Sequence, residues 1–214
     1  MMQRERPQVT LVDYGMGNLA SVAKGLERAG ADVRLTDSAT SVGRAGAVVL
    51  PGVGAFRDAS ERLRRSRLAD ALLDRIATGV PFLGVCLGLQ LLFERSHEGG
   101  DWPGLGVFKG EVVRLDTSLK VPQIGWNELV FRAAGAPLSE GLSAPVYVYF
   151  VHSYVVRPVD DAIVAAVTDY DGERVAAVAR DNVWAVQFHP EKSSAVGLRM
   201  LANFVDTVRT EHRA

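Results

Sequence analysis

Three short segments hold residues that could perform covalent chemistry together. The first, Gly84-Val-Cys86-Leu-Gly88, contains the chain's single cysteine. It lies where an apolar run gives way to helical spacing. A nucleophile flanked by glycines at a strand-to-helix turn is lifted out at the top of a sheet, because the glycines permit a turn that a Cβ would obstruct. The N-terminus of the following helix favours thiolate over thiol. Taken alone, the pattern also suits a structural cysteine buried among packing glycines. The second segment, His189-Pro190-Glu191, follows the run Trp184-Ala-Val-Gln-Phe188. Pro190 biases His189 to an extended backbone, so the side chains at 189 and 191 can point to one side. A carboxylate there fixes the tautomer and orientation of the imidazole, as the third member of a triad does. The expected roles are nucleophile for Cys86, general acid and base for His189, and orienting carboxylate for Glu191.

The third segment is the tight loop Pro51-Gly52-Val53-Gly54. An attacked carbonyl develops negative charge on oxygen, which two backbone N–H groups aimed at one point would stabilise. Leu87, the residue after the nucleophile, offers one such amide, and the Gly52-Val53 loop can offer the other. A plain turn after a strand accounts for this loop equally well. Three further histidines compete for the role of base. His97 lies in a glycine-rich stretch and His212 in the terminal tail, so both are expected in solvent. His152, in Phe150-Val-His-Ser-Tyr154, has no carboxylate following it and reads as a binding or interface residue.

The elements that would hold these segments alternate between strand and helix in the first half. Val9–Asp13 and Pro81–Val85 read as buried strands, with Asp32–Leu35 and Ala47–Leu50 as further strand candidates. Leu19, Val22, Ala23, Leu26 and Ala29 recur at helical spacing up to Gly30, and arginine-rich helical sequence runs from about Asp58 to Ala77. Leu87–Phe93 reads as the helix leaving the cysteine turn, and Glu94–Gly110 as a loop with little regular structure. In the second half, Glu111–Arg114, Glu128–Phe131, Val146–Val151, Ile163–Thr168, Arg174–Ala179 and Val183–Phe188 read as short strands, with hairpin signals at Asp171-Gly172 and Asp181-Asn182. A helix from about Ser193 to Arg209 follows, with Ala195, Leu198, Leu201 and Val205 on one face. The fold class expected is α/β: a mostly parallel central sheet flanked by helices, with an added antiparallel β section, in one domain over residues 1–214.

Composition narrows the function classes. Apolar residues make up 48% and charged residues 23% of 214, ordinary values for a globular chain. The formal charge of −1 gives no global basic field for nucleic acid or an anionic membrane, and the cluster Arg62, Arg64, Arg65 and Arg67 reads as a solvated helix face. One cysteine permits neither an intrachain disulfide nor zinc-type spacing. No signal-peptide pattern or membrane-length apolar run is present. The expectation is a cytoplasmic protein with no metal and no cofactor.

The Gly-x-Cys-x-Gly turn, the distant His-Pro-Glu and the Pro-Gly-x-Gly loop resemble those of the class I (triad) glutamine amidotransferases. Within that class the chain is similar to the glutaminase subunits of imidazole glycerol phosphate synthase. The resemblance rests on Asp13-Tyr-Gly-Met-Gly-Asn18, Pro51–Gly54, Gly84–Gln90, Val121-Pro-Gln-Ile-Gly-Trp-Asn127, Phe150–Tyr154 and His189-Pro-Glu-Lys-Ser193. It implies a flavodoxin-like fold and hydrolysis of L-glutamine to glutamate and ammonia through Cys86, His189 and Glu191. It implies substrate contacts from Gly52, Gln90, Ser153 and Tyr154. It also implies a heterodimer with a (β/α)8-barrel synthase subunit that uses the ammonia, with Asn18, Trp126, His152 and Lys192 at or near that interface. Other readings stay open: the glutaminase of pyridoxal phosphate synthesis, a cysteine peptidase of related fold, or a catalytically dead binding module. Trp126 could also be core.

Overall fold

The computed structural model describes residues 6–211, so Met1–Glu5 and the tail carrying His212 lie outside the described residues. Its first half runs β1 (Gln8–Val12), α1 (Leu19–Arg28), β2 (Asp32–Thr36), α2 (Ala39–Val42), β3 (Val48–Leu50), α3 (Phe56–Arg65), α4 (Leu68–Ala77), β4 (Phe82–Val85) and α5 (Leu87–Leu91). The second half is β5 (Phe93–Ser96), β6 (Trp102–Pro103), β7 (Phe108–Arg114), β8 (Gln123–Phe131), α6 (Ala136–Ser139), β9 (Val146–His152), β10 (Tyr154–Pro158), β11 (Val164–Asp169), β12 (Glu173–Arg180), β13 (Val183–Val186) and α7 (Ser194–Glu211).

A nine-stranded sheet in the order β2-β1-β3-β4-β13-β12-β11-β8-β9 forms the centre. The five strands from β2 to β13 are parallel, in the 2-1-3-4-5 order of flavodoxin-like sheets. The rest of the sheet continues antiparallel from β13 through β12, β11 and β8 to β9. A second, four-stranded sheet, β10-β7-β5-β6, packs beside it. The inner parallel strands β1, β3, β4 and β13 are buried on both faces, as their near-continuous Val and Leu runs demand, whereas β2 is an exposed edge strand. Alternate residues serve opposite cores. Val9, Leu11 and Val49 join α1 and α7 on one side, and Val12, Val48 and Leu50 join α3, α4 and α5 on the other. The removal of each such Val or Leu side chain from water contributes roughly 1.5–3 kcal/mol.

Four expectations are corrected. The arginine-rich segment is two helices and not one, broken at Ser66-Arg67, where Arg67 takes a left-handed φ of 59°. Glu94–Gly110 is not a structureless loop: it holds most of β5, all of β6 and the start of β7, paired through Arg95 to Pro103 and Phe93 to Phe108. Tyr154–Pro158 forms a strand the pattern did not announce, lying antiparallel to β7. On α7 the buried stripe is Met200, Leu201, Phe204, Val205 and Val208, while Ala195 is exposed. The packing of α7 under Trp184, whose ring meets Phe204 edge-on at 6.0 Å, sets that face.

Candidate active site

β4 and β13 lie side by side in the middle of the sheet, with Val85 registered against Val186. Cys86 leaves the first strand and His189 soon follows the second, so residues far apart in sequence meet at one end of the sheet. Cys86 sits at φ 55° and ψ −109°, a strained conformation for a non-glycine residue. Its neighbours make that turn possible. A Cβ on Gly88 would lie 1.9 Å from the carbonyl oxygen of Leu50, and one on Gly84 would lie 3.0 Å from Gly88 and Ala185. The helix that follows spans five residues, so what it offers the sulfur is its free N-terminal amides and not a long aligned dipole.

Beyond β13, His189 opens a 3₁₀ turn, Pro190–Lys192. Its Nδ1 lies 2.8 Å from Glu191 Oε1, with the two side chains only 4% and 1% exposed. Burial alone would push the imidazolium down, but interactions with Cys86 and Glu191 beside the ring outweigh it, and His189 is raised to about 9. Its Nε2 has no hydrogen-bond partner among the described residues and remains available for proton transfer. The turn is held to β9 by Ser193: its hydroxyl donates to His189 O at 2.7 Å and accepts from Tyr149 N–H at 3.0 Å.

A cleft of about 360 Å³ opens over Cys86 and His189, lined also by Val53, Gly54, Leu87, Gln90, Glu98, Pro122, Val151, His152, Ser153, Tyr154 and Lys192. Gly52 is buried beneath this lining, and its carbonyl accepts the Leu87 N–H at 3.4 Å. The amide after the nucleophile is therefore occupied by the loop expected to complete an oxyanion hole. Gln90 is buried, with its Nε2 donating to Tyr154 O at 3.1 Å and to Gln187 Oε1 at 3.0 Å. His152 is 7% exposed and faces the cleft. Its Nδ1 lies 2.8 Å from Tyr154 O, which makes Nδ1 the donor and leaves Nε2 as a lone-pair acceptor. Burial first, and then the charge of His189, holds it down at about 4 against the pull of that carbonyl. Trp126 is half exposed, its ring edge-on to Tyr149 at 6.1 Å. Lys192 also lies over Tyr149, its Nζ 5.7 Å from the ring centroid, and Asn18 is exposed at the start of α1. His97 is exposed and pairs with Glu111 at 2.8 Å.

Four residues of this region escaped the sequence reading. Gln187, fully buried, places its Nε2 3.8 Å from Cys86 Sγ; a polar residue interrupting an apolar strand was the available signal. Glu98 reaches the cleft and caps α3 through Phe56 N–H at 2.7 Å, from a segment with no pattern of its own. Ser193 and Tyr14 lie in motifs already noted, but neither residue type marks a role.

Comparison with known proteins agrees with this geometry. Residues 10–208 match the family model described as glutamine amidotransferase class-I. The chain belongs to that family. It is 50% identical over 206 residues to the imidazole glycerol phosphate synthase subunit HisH of Gloeothece citriformis, covering 95% of this chain and 97% of that one. It is 51% identical to the protein of the same description from Nostoc punctiforme, again over 206 residues, with 95% and 97% covered. Among solved structures, a Thermoplasma acidophilum protein described as part of a GMP synthase superposes with a TM-score of 0.74 at 18% identity, covering 99% of this chain and 98% of the other. The PurLQS structure from Thermotoga maritima gives 0.74 at 18%, covering 98% and 100%. At that identity the likeness shows the class I amidotransferase-like α/β fold alone. No helix among the described residues is long and apolar enough to cross a membrane.

Proposed function

We infer that this chain is the glutaminase subunit of an imidazole glycerol phosphate synthase, acting in the cytoplasm as one domain with a (β/α)8-barrel partner in histidine biosynthesis. The observation that carries the reading is near-full-length identity of about half to subunits so described, joined to a buried Cys-His-Glu constellation at the head of two adjacent parallel strands.

In this reading the Cys86 thiolate attacks the side-chain amide carbon of glutamine, and the oxygen becomes an oxyanion. The His189 imidazolium, kept charged by its two anionic neighbours, gives its proton to the departing ammonia and leaves a thioester on Cys86. Neutral His189 then takes a proton from water, whose oxygen attacks the thioester carbon; glutamate departs and the thiolate is restored. Glu191 holds the imidazole throughout. Gln187 donates toward the sulfur and so helps to fix its position. Glu98 is suited to the substrate's ammonium, with Gln90, Ser153 and Tyr154 forming the wall along the chain of the glutamine. The oxyanion needs the Leu87 amide, so the Gly52 carbonyl must first leave it. A partner that turns the Gly52-Val53 peptide would couple glutamine hydrolysis to its own demand for ammonia.

The face suited to that partner lies along β8 and β9, where Ile124, Trp126 and Tyr147 stand 61%, 50% and 47% exposed, with Lys192 and Asn18 as polar members of the same proposal. The test is glutamate release by the chain alone, with the barrel partner, and with that partner carrying a nucleotide ligand, each repeated with Cys86→Ala. Turnover that depends on partner and ligand and vanishes in Cys86→Ala is expected. Full activity of the isolated chain would overturn the coupling, and cleavage of peptides in place of free glutamine would overturn the glutaminase reading.

A further inference from the structure

Tyr14 has a group that the reaction above leaves unused. It follows β1 at the edge of the site, is 6% exposed, and its hydroxyl has no hydrogen-bond partner among the described residues. Burial, and then the nearness of Cys86, holds its phenol well above the ordinary range, so the proton stays on oxygen throughout the working pH range. The hydroxyl also lies directly against the oxyanion loop. A Cβ added to Gly52 would stand 2.2 Å from Tyr14 Oη, so the absence of a side chain at Gly52 is what admits the phenol.

An unpartnered buried donor is costly, and one kept in a native structure calls for a physical reason. In the closed loop the Gly52 carbonyl is satisfied by the Leu87 amide. When that amide is surrendered to the substrate oxyanion, the buried carbonyl needs another donor, and the Tyr14 hydroxyl lies against Gly52. We propose that Tyr14 is the positioning residue that supplies it: its hydroxyl receives the Gly52 carbonyl when the Gly52-Val53 peptide turns over, and so holds the oxyanion hole open. The phenol touches neither substrate nor the reacting sulfur. It exchanges one hydrogen bond for another across the loop's two arrangements, so its energetic effect is felt only in the open one.

Tyr14→Phe removes the hydroxyl and keeps the ring that fills the core. The proposal rests on the glutaminase reading, so wild type and variant are compared side by side in the complex with the barrel partner and its nucleotide ligand. Expected is a fall in kcat for glutamine of about five- to tenfold, the factor of one neutral hydrogen bond, with KM unchanged. The Tm should be unchanged or higher. Iodoacetamide alkylation of Cys86, a displacement that forms no oxyanion, should keep its wild-type rate and pH profile. An undiminished kcat would overturn the proposal. So would a parallel loss in alkylation, which would mean that the phenol acts on the thiolate, or a fall in Tm with a rise in KM, which would mean packing alone. An inactive wild-type complex would overturn the glutaminase reading and this proposal with it.

Discussion

Two histidines share the cleft and favour opposite charge states near neutral pH. His189 is buried between two potential anions and is held up at about 9, whereas His152 is buried against a carbonyl and held down at about 4. One is a stored proton and the other a fixed acceptor. Glu191→Gln keeps the size of the side chain and removes the charge, so it should lower the His189 titration and reduce kcat by roughly 10²-fold or more. An NMR titration of the imidazole read beside the rate checks both, and an unmoved titration would mean that Cys86 alone sets it. Residue type made the Cys, the His and the Glu legible, because few other duties explain the three together. Ser193 and Tyr14 were not legible, and Gln187 showed only as a polar interruption of an apolar run. Their roles arise from hydrogen bonds or close approaches between β13, β9, the β1 turn and the Gly52 loop, and a single sequence does not state such adjacencies.

Elements position these groups with little slack. A methyl group at Gly88 would meet the Leu50 carbonyl of the neighbouring strand at 1.9 Å, so Gly88→Ala should destabilise the fold by about 1–3 kcal/mol and remove glutamine hydrolysis; urea unfolding together with an activity assay measures both. Ser193→Ala takes both a donor and an acceptor from the turn carrying His189. It should cost about 1–3 kcal/mol and lower kcat more than it raises KM, and a variant of full activity would show that the turn holds itself. The parallel strands and α1 could be read from the sequence because burial on one or two faces imposes a period. β5 and β6 could not, since they are short, interrupted by glycines and fixed only by pairing with β7 and with each other. The break at Arg67 was hidden for a related reason: nothing in the charged run Arg62–Arg67 distinguishes a turn from another helical step.

For the molecule as a whole, the two histidines shape stability against pH in opposite senses. The folded pKa of His189 is raised, so its contribution is fully present below about 6.5 and is lost as pH rises through about 9. His152 is lowered, so its contribution is present above about 6.5 and is lost as pH falls through about 4. Together they predict greatest stability near the middle of that span. Urea midpoints measured across it should decline on both sides, and His189→Ala should flatten the alkaline limb. An unchanged alkaline slope in that variant would refute the assignment.

Among the described residues β13 joins the parallel half of the central sheet to the antiparallel half, and it is the last strand. During synthesis, therefore, the nucleophile emerges from the ribosome long before the strand that brings its base. A nascent chain carries Cys86 on a sheet still missing its middle, and it cannot hydrolyse glutamine until the final strand slots between β4 and β12. A chain cut short before His189 therefore carries the nucleophile without its base, and it is expected to be silent toward glutamine.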